Sequence, residues 1–218
     1  MRLYDYPSSP NCYKVRLAMA ELGLDYERVP VDIFGGDTLT DEFGRKNPAR
    51  TTPVLEIDDG RYLVESNAIV LYLAEGSELV PEDEVQRAEA YGWLFYEQAR
   101  VVPIIGWLRL ALSTGRTTLE REGTRRQRRL GVGITALLAQ HLEERDYFVG
   151  DGFTVADVVL YGYMQAAGDA GIDTSRFPAL EAWLDRVRAR PRHVADLQPL
   201  PENAQPGKGR SIFDLMGI

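Results

Sequence analysis

The chain has 218 residues, 44% hydrophobic and 27% charged, an ordinary globular composition that sets disorder aside. Its 33 acidic against 25 basic side chains leave a net charge of -8, a balance that argues against a nucleic-acid partner. The single cysteine, Cys12, excludes an internal disulfide and a cysteine-rich metal site, and the two histidines, His141 and His193, have no ligand-like or triad-like spacing.

No apolar run approaches the roughly 20 residues that cross a bilayer, and no leader pattern opens the sequence. The expectation is a cytoplasmic protein with no membrane partner. The basic run Arg125-Arg126-Gln127-Arg128-Arg129 has no interleaved aromatics and is expected to be the solvated face of a helix.

The first part alternates strand and helix patterns. Residues 3–6 carry β-prone aromatics and predict a short strand. Turn chemistry follows from Pro7 to Asn11. Apolar Val15, Leu17, Ala18, Ala20 and Leu22 then predict an amphipathic helix over 12–22, with Gly23 as its stop. Residues 26–31 predict a second strand, and Pro30 places it near an edge or an end. A weak helix is expected over 40–45. Residues 53–57 alternate as a strand, Asp58-Asp59-Gly60 is a hairpin turn, and 62–64 return. Glu65-Ser66-Asn67 then opens a helix that runs through Leu73. The order is β-α-β-α-β-β-α, with one parallel crossover, a terminal antiparallel hairpin and helices over both sheet faces.

Beyond a Pro-containing acidic linker the pattern is helical. Long helices are expected over about 84–113 and 121–144. Others begin at Thr154 and Pro178, the second with proline suited to a first turn. Thr154-Val155-Ala156-Asp157 forms an acidic variant of the capping box, a structural feature. The predicted organisation is a first domain over 1–76, a linker over 77–84, a helical domain over 85–198 and an extended tail over 199–218.

Three local elements carry chemistry. Ser9 precedes the first helix, where unpaired amides and the helix dipole favour an anion such as a thiolate. Asn11 adds a side-chain donor, and Cys12 lies one turn on. Thr52-Pro53 enters a strand from an extended loop. Glu65-Ser66 opens a helix, where Glu suits a ligand ammonium and the exposed amides suit a carboxylate, although an ordinary helix cap has the same pattern.

Together, Ser9-Pro-Asn-Cys-Tyr-Lys-Val-Arg16, Asn47-Pro-Ala-Arg-Thr-Thr-Pro-Val-Leu55 and Glu65-Ser-Asn-Ala-Ile-Val-Leu-Tyr-Leu73 resemble the soluble bacterial glutathione transferases with a serine-type motif. The capping box at Thr154 is similar to the one in that family's second domain. The resemblance implies an α/β thioredoxin-like first domain, an all-α second domain and a homodimer, with glutathione as co-substrate and no metal. It implies a cis bond at Pro53, with the Thr52 backbone paired to glutathione, and Glu65 and Ser66 on the γ-glutamyl end. Arg50 or Lys46 would meet the glycine carboxylate. A small hydrophobic electrophile would sit between the domains, near Tyr6, Tyr96, Trp107 and Leu108.

Ser9 and Asn11 are the candidate catalytic residues, as donors to the glutathione thiolate. Lowering a thiol pKa by roughly two units is worth about 2.7 kcal/mol. One charge-assisted hydrogen bond supplies about 1.5–3 kcal/mol and a helix end about 0.3–1 kcal/mol, so no general base is required. Two alternatives stand beside conjugation. One is a glutathione-dependent disulfide reductase or peroxidase, in which Cys12 could take part. The other is a non-catalytic glutathione-binding scaffold.

Overall fold

The structure is a computed structural model that describes residues 1–57 and 60–212. The expected turn at Asp58-Asp59 and the end of the tail, 213–218, lie outside the described residues. Four strands, β1 (Arg2–Asp5), β2 (Glu27–Pro30), β3 (Val54–Glu56) and β4 (Tyr62–Leu63), form one sheet in the order β2-β1-β3-β4. β1 runs parallel to β2 and antiparallel to β3, and β3 and β4 make the hairpin. β2 is an edge strand and ends at Pro30, which has no amide hydrogen to donate to a further strand.

Alternation along the strands sorts the two faces. Leu3 pairs with Leu55 and belongs to the main core, while Tyr4 pairs with Val54 and faces a smaller cluster with Val31 and Phe43. Phe43 comes from α2 (Asp41–Lys46), which Thr40 caps by accepting from the Phe43 amide at 3.2 Å. The main face receives α1 (Pro10–Leu22) and α3 (Ser66–Ala74). Gly23 takes up the left-handed conformation at φ 64° and closes α1.

The helical part comprises α4 (Glu84–Tyr96), a π-helical segment (Glu97–Gly106), α5 (Trp107–Ser113), α6 (Glu122–His141), α7 (Val155–Met164) and α8 (Pro178–Arg188). The first three form one continuous rod, as the pattern over 84–113 predicts. The π-helical stretch contains Pro103, whose nitrogen cannot join the hydrogen-bond ladder, and the ladder widens there. Asp157 caps α7 as expected and also accepts from the Phe148 amide and the Trp183 indole at 3.1 and 2.9 Å. Four donors thus converge on this fully buried carboxyl, which burial pushes up to about 6.

α1 is buried on both sides, against the sheet and α3 on one and against α7 on the other. This close docking needs a glycine: a Cβ at Gly162 of α7 would lie 2.6 Å from Lys14 Cγ and 3.2 Å from the Pro10 carbonyl. One apolar core therefore runs from Leu3, Leu17 and Ile69 through to Val155, Leu160 and Trp183. Three charged side chains of α1, Lys14, Arg16 and Glu21, are buried with partners. Lys14 meets Glu97 at 3.0 Å and Asn67 at 2.9 Å, and Arg16 meets Asp5 at 2.6 Å and Asp196 at 2.9 Å.

After α8 the chain returns to the first domain. Arg190 pairs with Glu21, Asp196 with Arg16 and Arg28, and the Gln198 amide donates to the Pro7 carbonyl at 3.2 Å. The tail expected to lie extended on the surface instead makes a short 3-10 turn (Glu202–Ala204) with Ala204 fully buried, and Arg210 donates its amide to the Phe34 carbonyl.

Candidate functional site

A cleft of about 360 Å³ opens between the two domains at the N-terminus of α1. Ser9 caps that helix: its Oγ accepts from the Cys12 amide at 3.3 Å, with extended backbone at φ -87°, ψ 120°. Accepting uses only a lone pair, so the same hydroxyl can also act as a donor. The helix end adds its partial positive charge at the same place.

Asn11 is aimed by two hydroxyls. Its Oδ1 accepts from Tyr163 at 3.1 Å and from Ser66 at 3.4 Å. With the oxygen committed to these donors, the Nδ2 amide hydrogens are the ones available to a ligand. Ser66 is the first residue of α3, and Tyr163 comes from α7 of the helical domain. Tyr163 reaches this position because Gly106 lacks a side chain: a Cβ there would lie 2.7 Å from Tyr163 Cε1.

Thr52-Pro53 is cis, and Thr52 lines the cleft. The loop before it is fixed by buried Asn47, which donates to the Thr51 carbonyl at 2.8 Å and accepts from the Ala49 amide at 3.0 Å. Glu65 is exposed and precedes α3 with φ 66°, a left-handed conformation that non-glycine residues rarely adopt and that marks functional turns.

The two candidate cations separate clearly. Arg50 lines the cleft, with one guanidinium nitrogen donating to the Thr38 and Thr40 carbonyls at 2.9 and 2.7 Å. Lys46 is not part of the cleft wall. Its ammonium pairs with Glu42 at 2.8 Å and lies over the rings of Tyr4 and Tyr62, at 5.4 and 5.8 Å, on the sheet face that α2 covers.

Tyr6 and Trp107 both line the cleft, with Phe34, Val102, Leu110 and Leu200 adding apolar surface. Tyr96 and Leu108 do not. Leu108 is fully buried in the core, and Tyr96 packs edge-on against Trp93 at 5.5 Å. The helical pitch explains the difference: one residue along α5 turns a side chain by about 100°.

Two contributors escape a sequence reading. Arg109 is buried beside the cleft, donating to the Ser8 carbonyl at 2.9 Å and pairing with Asp169 at 3.3 Å. Leu200 comes from the tail. Neither position carries a local signal, because each reaches the site only through domain docking.

Cys12, by contrast, is fully buried, 0% exposed, and packs with Tyr6, Phe34 and Ala204. Burial pushes its thiol up to about 12, and the nearby Asp5 carboxylate adds to the rise. A thiol in this setting is inert as a nucleophile. Among the described residues no group of His, Cys, Asp and Glu could hold a metal ion, and no helix is long and apolar enough to cross a membrane.

Residues 3–81 match the family model of the glutathione S-transferase N-terminal domain, and residues 112–191 match that of the C-terminal domain. The chain is 32% identical to the disulfide-bond oxidoreductase YfcG of Escherichia coli over 200 residues, covering 87% of this chain and 90% of the relative. It belongs to the glutathione S-transferase family. The maleylacetoacetate isomerase of Pseudomonas aeruginosa is 32% identical, with 90% of each chain covered. A crystal structure of a glutathione S-transferase from Pseudomonas fluorescens superposes with a TM-score of 0.86 at 39% identity, over 90% of this chain and 98% of that one. The thioredoxin-like first domain and helical second domain are thus those of a glutathione S-transferase, a family that binds glutathione.

Proposed function

We propose that this glutathione S-transferase conjugates the glutathione thiolate to a small hydrophobic electrophile, with Ser9 as the hydrogen-bond donor to the sulfur. One observation supports the reading: the Ser9 hydroxyl caps the N-terminus of α1 inside a cleft that Thr52 also lines. Asn11 Nδ2 is the second donor. Two such donors and a helix end exceed the roughly 2.7 kcal/mol that a two-unit drop in thiol pKa requires.

The rest of glutathione extends from the cleft to the start of α3, where Glu65 and Ser66 lie outside the cleft wall and Ser66 is joined to it through Asn11. The Thr52 backbone pairs with the cysteinyl part, the first amides of α3 with Glu65 hold the γ-glutamyl end, and Arg50 meets the glycine carboxylate. The electrophile occupies the apolar arm against Trp107. A homodimer suits the exposed apolar side chains on α3 and α4, where Tyr72, Val85 and Phe95 are 50%, 67% and 75% exposed. The test is retention on immobilised glutathione followed by conjugation to 1-chloro-2,4-dinitrobenzene. Retention with turnover is expected. Retention without turnover would make the protein a binding scaffold, and no retention would sink the reading.

The relative named a disulfide-bond oxidoreductase favours a second reading, glutathione-dependent disulfide reduction. The buried Cys12 is unsuited to that chemistry, so the bound glutathione thiolate would itself attack the disulfide. One sulfur–sulfur bond then breaks, expelling one thiol as a mixed disulfide forms, and a second glutathione attacks that disulfide, releasing the other thiol and leaving oxidised glutathione.

A further inference from the structure

Arg109 is a charged side chain in a place that packing alone does not call for. It sits on α5 between buried Leu108 and cleft-lining Leu110, and it is 4% exposed. Its acidic partner, Asp169 at 3.3 Å, has a side chain 53% exposed, so the two charges are not buried together as a pair. Desolvating a guanidinium costs several kcal/mol, and an apolar side chain would fill the position without that cost. The cation is explained by what its other nitrogens hold.

Both go to backbone carbonyls beside the Ser9 turn. Nη1 donates to the Ser8 carbonyl at 2.9 Å, and Nη2 donates to the Gln198 carbonyl at 3.5 Å. These two segments already lie side by side: the Gln198 amide donates to the Pro7 carbonyl at 3.2 Å, and the Ser8 hydroxyl donates to the Pro199 carbonyl at 2.6 Å. Arg109 brackets them from the helical domain. The peptide bond between Ser8 and Ser9 is thereby held at both ends, its carbonyl by Arg109 and its N–H by the Tyr6 carbonyl at 3.0 Å. Immediately beyond, the Ser9 carbonyl accepts from the Tyr13 amide at 2.9 Å as α1 begins. Of these holds on Ser9 and its peptide, the one from Arg109 is the one that reaches across the domains. A reacting group misplaced by about 1 Å can cost on the order of a hundredfold in rate.

We infer that Arg109 is a positioning residue: by bracketing the Ser8 and Gln198 carbonyls it fixes the peptide that presents the Ser9 hydroxyl to the glutathione sulfur. This rests on the reading of Ser9 as the sulfur donor. The planar fork is the working part, because a guanidinium holds two carbonyls and a carboxylate at once, whereas a lysine ammonium is a point charge on a flexible stem.

The experiment titrates the thiol of bound glutathione, followed by the ultraviolet absorbance of the thiolate, in wild type, Arg109→Gln, Arg109→Lys and Ser9→Ala, and in each Arg109 variant combined with Ser9→Ala. Both Arg109 variants are expected to hold about three- to tenfold less thiolate than wild type at a pH below the thiol pKa. Neither should lose more once Ser9→Ala is in place. Arg109→Lys keeps a cation for Asp169 and guards against a glutamine variant that does not fold. A lysine variant with wild-type thiolate would overturn the inference, since charge without the fork would then suffice. An undiminished loss in the Ser9→Ala background would also overturn it, by placing Arg109 on another route. A purely structural role would lower the melting temperature and leave the bound thiol unchanged, and that result too would overturn it. Ser9→Ala without a loss of its own would remove Ser9 from the sulfur and take both readings down together. A loss in Ser9→Ala with none in the Arg109 variants would overturn this inference alone.

Discussion

The Tyr163 hydroxyl of the helical domain donates to Asn11 Oδ1 of the first domain at 3.1 Å. The bond fixes the Asn11 amide, whose oxygen it occupies, in the cleft wall. If Asn11 is a donor to the thiolate as proposed, Tyr163 is its positioning residue. Tyr163→Phe should lower kcat/KM for conjugation by about three- to tenfold, the loss of one neutral hydrogen bond. The effect should vanish in an Asn11→Ala background. Additive losses in that double-mutant cycle would show that Tyr163 acts by another route.

Ser9→Ala removes both the hydroxyl donor and the cap on α1. Conjugation should fall by roughly 10- to 1000-fold in kcat, as for the loss of one anion-stabilising donor. The lost cap should cost about 1 kcal/mol of stability. Ser9→Thr keeps both groups and should restore most of the rate. Turnover by Ser9→Ala equal to wild type would hand the thiolate to Asn11 alone.

Much of the architecture was legible because the strands are bounded by strong turn residues and their two faces alternate cleanly. The helix start at Thr154 was legible from capping chemistry, which acts within four residues. What escaped depends on distance. Lys14 and Arg16 interrupt the apolar stripe of α1, and a single amphipathic face was the natural expectation; their partners Glu97 and Asp196 are 83 and 180 residues away. The choice between Lys46 and Arg50 likewise turns on which sheet face each loop residue meets. No local pattern encodes that.

Cys12 provides a direct check on the disulfide-reductase reading. In the folded protein its thiol should resist Ellman's reagent at pH 8, and in denaturant one thiol per chain should react. Cys12→Ala should keep both conjugation and reduction of hydroxyethyl disulfide within about threefold of wild type, against the far larger losses that follow removal of a true nucleophile. Rapid labelling of the native protein, or loss of disulfide reduction in the variant, would return Cys12 to the mechanism.

His193 gives a pH signature remote from the cleft. Its Nε2 sits 2.9 Å from the Tyr161 hydroxyl and 3.2 Å from that of Tyr13, and burial, with Arg188, lowers its pKa below the usual 6.5. The unfolded chain therefore binds a proton first as pH falls. The stability this residue contributes is fully present above about pH 6.5 and is lost as pH drops through the folded pKa. Urea unfolding of wild type and His193→Gln at pH 7.5, 6.0 and 5.0 should show the gap between them shrinking toward acid. A gap that widens would reverse the sign and imply a charged histidine in the fold.

The burial of α1 on both of its sides has a consequence for how this protein fails. The helix capped by Ser9, the proposed sulfur donor, is also the shared floor of the two domains, and Tyr163 and Trp107 line the same cleft. A slight slip between the domains would leave every secondary-structure element intact while moving the donors apart. Catalytic rate is thus a gauge of domain docking, sensitive to displacements that spectroscopic measures of helix content would not register.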